Sequence, residues 1–269
     1  MYELKRKDDG QENPLKIRGL KSHLLRSAEA HYLSEDYKPR GGRYFHGRDV
    51  GECPRSIVLR WLGIPAPPPS VQQRWRMEDG LYAEERVRGM YQSAGLISHS
   101  NIRLKRTYIV GESQVTVAGV ADIILRDTTL VEVKAPAERN FERWKVVEDL
   151  PRQTRDQANL YCKQFELLDG LIHLHCRGSN EFRILPFPRD DERNWYQLYR
   201  FVEIQEAYVR KELPAFNHDD YWCKYGEACK ERGPEVFGMS GNPTPMREVQ
   251  TQGGEECFTG RGLSVLSGK

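Results

Sequence analysis

No run of about 18 apolar residues occurs anywhere in the 269-residue chain, so no segment reads as a membrane-spanning helix. The first residues, MYELKRKDDGQENP, carry charges where a secretion signal has its apolar stretch. A cytoplasmic protein without membrane contact is expected. Charge of one sign is also lacking: the formal net charge is only +2, which by itself says little about partners. No internal repeat is visible. Cysteines are few, at Cys53, Cys162, Cys176, Cys223, Cys229 and Cys257. Without a secretion signal they do not read as a disulfide framework, and any grouped set is better read as metal or cluster ligands.

What is present fits a globular protein with a polar surface, 38% of residues being hydrophobic and 30% charged. The length allows one large domain or a core with an elaborated cap. Lys5, Arg6, Lys7, Lys16, Arg18, Lys21 and Arg26 crowd the first thirty residues; a solvated face is the plain reading, nucleic-acid contact the sharper one. A loosely helical pattern over residues 15–33 precedes a loop rich in Gly, Arg and aromatics. In CPRSIVLRWLG, Cys53 opens a helix with Pro54 at its first position and Gly63 at its end. The stiff connector IPAPPPS then marks a boundary near residue 70.

A second helix is expected from about Arg74 to Gly95. Helical spacing gathers Ala83, Val87, Met90, Tyr91 and Ala94 on one face, with Glu84 at its border and Glu85 nearly opposite. Glu84 can therefore be half-buried, whereas Glu85 meets solvent. A strand over 101–110 leads to VAGVADIILRDTTLVEVKAP, residues 117–136. This stretch reads as two strands joined at Arg126-Asp127-Thr128. On the second strand Val131 and Val133 point one way, Glu132 and Lys134 the other. Asp122 sits among apolar residues, where an unpaired carboxylate is costly. Two carboxylates and a lysine at the edge of an apolar hairpin suit metal-dependent phosphodiester cleavage, with the acids holding a hard cation.

Residues 137–150 read as irregular at first, and a third helix runs from near Pro151 towards Gly170. Gln157 and Tyr161 are neighbours on it. Leu160, Gln164 and Leu168 share their side, which turns that face towards the protein. LIHLHCR and EFRILPF form a strand pair about Gly178-Ser179-Asn180. His173 and His175 are metal ligands by type, but exposed strand histidines are the simpler reading. Cys162 and Cys176 read as small buried hydrophobes. A long amphipathic helix, roughly Asp191 to Glu212, precedes a segment holding Cys223 and Cys229, and from Gly233 the chain lacks periodicity.

In order, the motifs are Gly80-x-x-x-Glu84, Gly119-x-x-Asp122, Glu132-Val133-Lys134 and Gln157-x-x-x-Tyr161. Glu-x-Lys alone is weak; Asp122 ahead of it on a hairpin and Gln-x-x-x-Tyr on the next helix make a strong set. Over roughly residues 50–230 the pattern resembles the PD-(D/E)XK nuclease superfamily, in its RecB-like branch. The resemblance implies an α/β, restriction-endonuclease-like core: a mixed central sheet flanked by helices, with an N-terminal helical segment and a C-terminal helical, cysteine-bearing cap. The implied division is an N-terminal segment to residue 70, a nuclease core over 71–190, a cap over 191–232 and a tail over 233–269. Where many RecB-like members have histidine, this chain has Glu84, still a good oxygen ligand for Mg²⁺ or Mn²⁺.

The same resemblance implies roles. Asp122, Glu132, the Val133 carbonyl and Glu84 would hold one or two divalent ions. Lys134 would orient or deprotonate the attacking water, the base role requiring a lowered pKa. Gln157 and Tyr161 would position Lys134 or the phosphate backbone. Cys53, Cys223 and Cys229 match three of the four cysteines that, in relatives such as the CRISPR-associated exonuclease and its phage-encoded kin, hold an iron–sulfur cluster. Zinc is the alternative. Asp220 stands where the remaining cysteine is expected, leaving Asp220, His218, Cys257 or nothing as fourth ligand. Arg40, Arg43, Tyr44, Phe45 and His46 offer phosphate and stacking contacts to a single strand, against the plainer reading of a surface loop.

The implied activity is exonucleolytic cleavage of DNA, single-stranded or with free ends, in recombination, repair or CRISPR-type processing in a bacterial, archaeal or phage-infected cell. Protein partners would be those of a recombination or CRISPR adaptation complex. A non-cleaving DNA-binding or scaffolding subunit of the same fold, or a dimeric endonuclease, is the alternative.

Overall fold

The computed structural model describes residues 44–215 and 223–239. The expected helix over 15–33, together with Arg40, Arg43, His218, Asp220 and Cys257, lies outside the described residues. Among the described residues, six strands form one mixed sheet in the order β1-β3-β4-β5-β6, with β2 paired to β3. Strand β1 (Phe45–His46) runs parallel to β3 (Ser113–Leu125). Strand β2 (Ile97–Val110) pairs antiparallel with β3 along its length, Lys105 facing Ala118 and Arg103 facing Val120. Strand β4 (Thr129–Lys134) closes the expected hairpin with β3, Ile123 opposite Val131. The turn between them places Arg126 and Asp127 at φ 48° and 60°, the left-handed region that a tight reversal demands.

From β4 the chain crosses over to β5 (Asp169–His175), which runs parallel to it. The crossover carries a short helix, α3 (Glu138–Arg143), where an irregular segment was expected, and then α4 (Arg152–Gln164). Helix α4 ends well before Gly170. Glu166 takes φ 58°, and Gly170 belongs to β5, opposite Phe187 of β6 (Phe182–Pro188). Leu168 consequently leaves the helix face and is exposed. Strand β6 returns antiparallel and leads into α5 (Asp191–Val209), whose first turn is capped by the Asp190 carboxylate accepting from the Arg193 amide.

Both faces of the sheet are covered. On one, Val131, Val133 and Ile123 pack against Val87 of α2 (Val71–Ser93). This helix begins at Ser70, whose hydroxyl accepts from the Gln73 amide while the Gln73 side chain accepts from the Ser70 amide. Ala83 and Val87 are buried as expected, but Met90 and Ala94 are exposed. On the other face, Leu130, Ile172 and Leu174 pack against Ala158 and Cys162 of α4. A further core joins Phe45, α1 (Pro54–Trp61), Val115 and Val117 of β3, and Phe201 of α5. Short helices α6 (Ala228–Glu231) and α7 (Val236–Met239) return to it, and Cys229 and Val236 are buried there.

The coverage by α2 explains one difference from expectation. His173 and His175 are buried, not exposed, because their strand face lies under that helix. His173 Nδ1 is 3.2 Å from the Tyr91 hydroxyl, and Phe182 stacks on its ring. No helix among the described residues is long and apolar enough to cross a membrane.

Candidate active site

The site forms where the edge of β3 is left without a ladder partner. On that edge β1 is paired at Val117 and Ala118, and β4 only from Ile123 onward. The gap between them opens at Gly119–Asp122. Glu84, Asp122, Glu132, Lys134, Gln157 and Tyr161 all line one cleft of ≈ 760 Å³ there. Alternation on β4 turns Glu132 and Lys134 towards α4 while Val131 and Val133 go under α2. Helical spacing places Gln157 and Tyr161 one turn apart on α4, facing the same opening. Gly119 serves the packing, since a β-carbon there would lie 2.6 Å from Tyr161 Cε1.

The polar contacts form a connected chain. The Val133 amide donates to Asp122 Oδ2 at 2.9 Å, fixing the carboxylate across the hairpin. Lys134 Nζ donates to Glu132 Oε1 at 2.7 Å and to Gln157 Oε1 at 3.3 Å. Gln157 Nε2 in turn donates to the Tyr161 hydroxyl at 3.4 Å. Glu132 is only 2% exposed, and its Oε2 is buried with no hydrogen-bond partner. A buried carboxylate oxygen left so is costly.

The electrostatics point the same way. Burial, then the charges of Glu132 and Glu84, hold the Asp122 carboxyl well above the ordinary aspartate range. Burial and the Glu132 charge also raise Glu84. Burial works against the Lys134 ammonium, but the charge and hydrogen bond of Glu132 outweigh it, and its pKa stands above the ordinary lysine value. That is opposite to the lowered pKa a base would need. Burial and Glu132 keep the Tyr161 phenol protonated. Converging carboxylates, one with an orphaned oxygen, fit a hard divalent cation, whose charge would relieve the repulsion.

Other residues enter the cleft that sequence pattern did not nominate. Arg48, Asn101, Arg103 and Lys105 line it beside Tyr44 and His46. Alternation along β2 was available as a signal, yet exposed cations on a strand ordinarily read as a solvated face. Phe45, expected as a stacking contact, is instead 1% exposed and stacked on Phe201 at 4.1 Å. Tyr44 is half-buried, with Lys105 Nζ 5.0 Å from its ring centre. A second hollow of ≈ 790 Å³, lined by Leu96, Leu125, Leu171 and Phe187 among others, contains a single carboxylate, Asp169, and none of the six site residues.

The cysteines converge elsewhere. Ligand atoms of Cys53, Cys223 and Cys229 lie within 4.8 Å of one another. A hydrogen bond with Cys53, together with burial, pushes the Cys229 thiol far above its ordinary range, and burial raises Cys223. Three crowded sulfur donors fit a thiophilic metal or cluster, which would take them as thiolates. Cys162 and Cys176 are buried apart from this group, as small hydrophobes.

A mixed sheet flanked by helices, with Asp122 and Glu132-Val133-Lys134 on adjoining strands and Gln157 and Tyr161 on the crossover helix, makes the fold restriction-endonuclease-like. The chain resembles the PD-(D/E)XK nucleases. No protein-family profile and no curated protein sequence matches it. Among solved structures it is similar to an alkaline exonuclease from Laribacter hongkongensis, at 13% identity over 62% of this chain and 90% of that one, with TM-score 0.45. A phage-related exonuclease from Haemophilus somnus gives 12% identity over 62% and 94%, with TM-score 0.44. The protein SSO0001 gives 16% identity over 70% and 87%, with TM-score 0.44.

Proposed function

We propose that the protein is a divalent-metal-dependent deoxyribonuclease, acting as an exonuclease on single-stranded DNA ends. The observation that carries this reading is the orphaned Glu132 Oε2, set beside Asp122 and Glu84 in a cleft that also holds Lys134. Asp122, Glu132, the Val133 carbonyl and Glu84 are the residues that would hold Mg²⁺ or Mn²⁺. A bound cation supplies Lewis-acid polarisation of a phosphate oxygen and a water of lowered pKa.

The chain's own residues do the rest. In the metal-free site the Glu132 charge and hydrogen bond favour the Lys134 ammonium, which suits offsetting charge growing on the phosphorane and holding the attacking water. Glu132 fixes the ammonium from one side and Gln157 from the other. Tyr161, protonated, orders Gln157 through its hydroxyl. Because these groups address a phosphodiester, sequence preference need not arise here. DNA is accordingly the partner, with recombination, repair or CRISPR-type processing as the setting.

The cysteine site is assigned an iron–sulfur cluster, held by Cys53, Cys223 and Cys229, with its fourth ligand among Asp220, His218 and Cys257. Anaerobic purification followed by an absorption spectrum tests this; a colourless protein containing zinc overturns it.

Asp122→Ala and Lys134→Ala should each abolish Mn²⁺-dependent cleavage of end-labelled DNA while circular dichroism stays native. Full activity in either variant refutes the nuclease assignment. A linear end-labelled substrate set against a closed circle tests the mode of attack, since an exonuclease degrades only the first.

A further inference from the structure

Strand β2 alternates along its outer half: Arg103 and Lys105 are exposed, whereas Tyr108 and Val110 go into the core with Val115 and Val117 of β3. The two cations thus stand on the strand face opposite that core. Their cross-strand neighbours are small, Ala118 opposite Lys105 and Val120 opposite Arg103. Among the described residues, neither cation pairs with a carboxylate. Lys105 instead reaches across Ala118 to the ring of Tyr44, 5.0 Å from its centre. Together they make a shallow trough: a floor of Ala118 and Val120, cations along one side, the Tyr44 ring along the other. The trough opens into the carboxylate cleft, since all these residues line it together with Asp122.

We propose that this trough is the track for a single nucleic-acid strand entering the site, with Arg103 and Lys105 on successive phosphates and Tyr44 stacking on a base. The inference rests on the nuclease reading and adds to it the substrate's path. Three features support it. Residues two apart on a strand are about 6.8 Å from each other, comparable with the step between phosphates of an extended strand. Small floor residues let a backbone approach the sheet. An aromatic ring beside a cationic row is how proteins hold single strands without reading their sequence.

The test measures binding of a short fluorescein-labelled oligothymidylate by anisotropy, in an Asp122→Ala background so that nothing is cut. Adding Arg103→Ala and Lys105→Ala should weaken binding at low salt by about tenfold or more. It should also flatten the dependence of log Kd on log salt by about 0.7 per lost phosphate contact, about 1.4 for the pair. The exchanged pair Arg103→Lys with Lys105→Arg should restore the slope, and Tyr44→Phe should bind better than Tyr44→Ala. Unchanged affinity and slope in the alanine pair overturn the track. So does tighter binding of blunt duplex than of single strand, with the same dependence on both cations. Failure of the nuclease reading shows separately, as Mn²⁺-dependent cleavage that survives Asp122→Ala.

Discussion

Asp122 is held in a state that costs the fold stability unless a cation joins it. Its carboxyl is raised by burial and by Glu132. A raised acid favours the folded state below its unfolded pKa, and that advantage is lost as pH rises towards the folded pKa. At neutral pH the raised group therefore destabilises the metal-free protein. Asp122→Asn keeps an oxygen to accept from the Val133 amide and removes the charge. We expect the metal-free variant to be more stable at pH 7 by on the order of 1 kcal/mol, or ~2–4 °C in melting temperature. Mn²⁺ should raise the melting temperature of the wild type and leave this variant unmoved; calorimetry with and without the ion checks both. Glu132 offers no such clean substitution, because its other oxygen holds Lys134 at 2.7 Å.

At this scale the convergence of the candidate site's residues in one cleft was legible because two short periodicities decide it. Alternation separates Glu132 and Lys134 from Val131 and Val133, and helical spacing selects Glu84 over Glu85. The structure agrees, with Glu84 half-buried and Glu85 exposed. The raised pKa of Lys134 was not legible, since it depends on the balance between its burial and its distance from Glu132. Arg103 and Lys105 escaped notice because nothing in their own strand says which way the cleft opens.

Elements were read well where one periodicity governs them and less well where two layers compete. Helix α4 was carried too far by Gly170, a residue that looks like a helix stop but sits in β5 beneath Phe187. The histidines of β5 were misplaced for a related reason: alternation puts them on one face but cannot say that α2 covers it. Their burial has a measurable consequence. Burial, and then the neighbouring His175, lower the His173 pKa to about 4. A depressed histidine contributes stability above its unfolded value near 6.5, and that contribution is lost as pH falls towards the folded value. The whole effect is roughly 3 kcal/mol by 1.36 kcal/mol per unit. Urea titrations at neutral pH and near pH 4.5 should show the wild type losing a good part of this. His173→Phe should lose less.

The short turn at Gly47–Gly51 also acts as an element. It lies against α4, where a β-carbon on Gly47 would sit 2.0 Å from Tyr161 Cε1. Gly47→Ala must therefore move a ring that touches Gln157, two steps from Lys134. We expect cleavage to fall by about tenfold or more while melting changes little. If the variant instead unfolds, the turn matters to the core more than to the site, and a urea titration run beside the activity assay separates the two.

Across the whole molecule, contacts between residues far apart in sequence bring the segment around Cys223 and Cys229 back to the one around Cys53. Glu52 precedes Cys53 and pairs with Lys224, which follows Cys223, at 3.1 Å. The Tyr225 hydroxyl donates to the Ile64 carbonyl at 2.7 Å, and Arg55 donates to the Cys229 carbonyl at 3.3 Å. Arg200 of α5 reaches the same place from the third side, donating to the carbonyls of Asp49 and Val50 at 3.1 Å and to that of Glu52. These carbonyls belong to the turn that presents His46 and Arg48 to the cleft and packs on Tyr161. A metal on the cysteines would therefore stiffen not only residues 223–239 but also the turn at the mouth of the candidate site. Cys229→Ser should lower the metal content and raise amide hydrogen exchange at 47–64 and 223–239 together, while β5 and β6 exchange as before. Faster exchange confined to 223–239 would mean that the cysteine site fastens only its own segment, and that the turn is held by Arg200 and the Arg60–Asp49 pair (2.6 Å) without it.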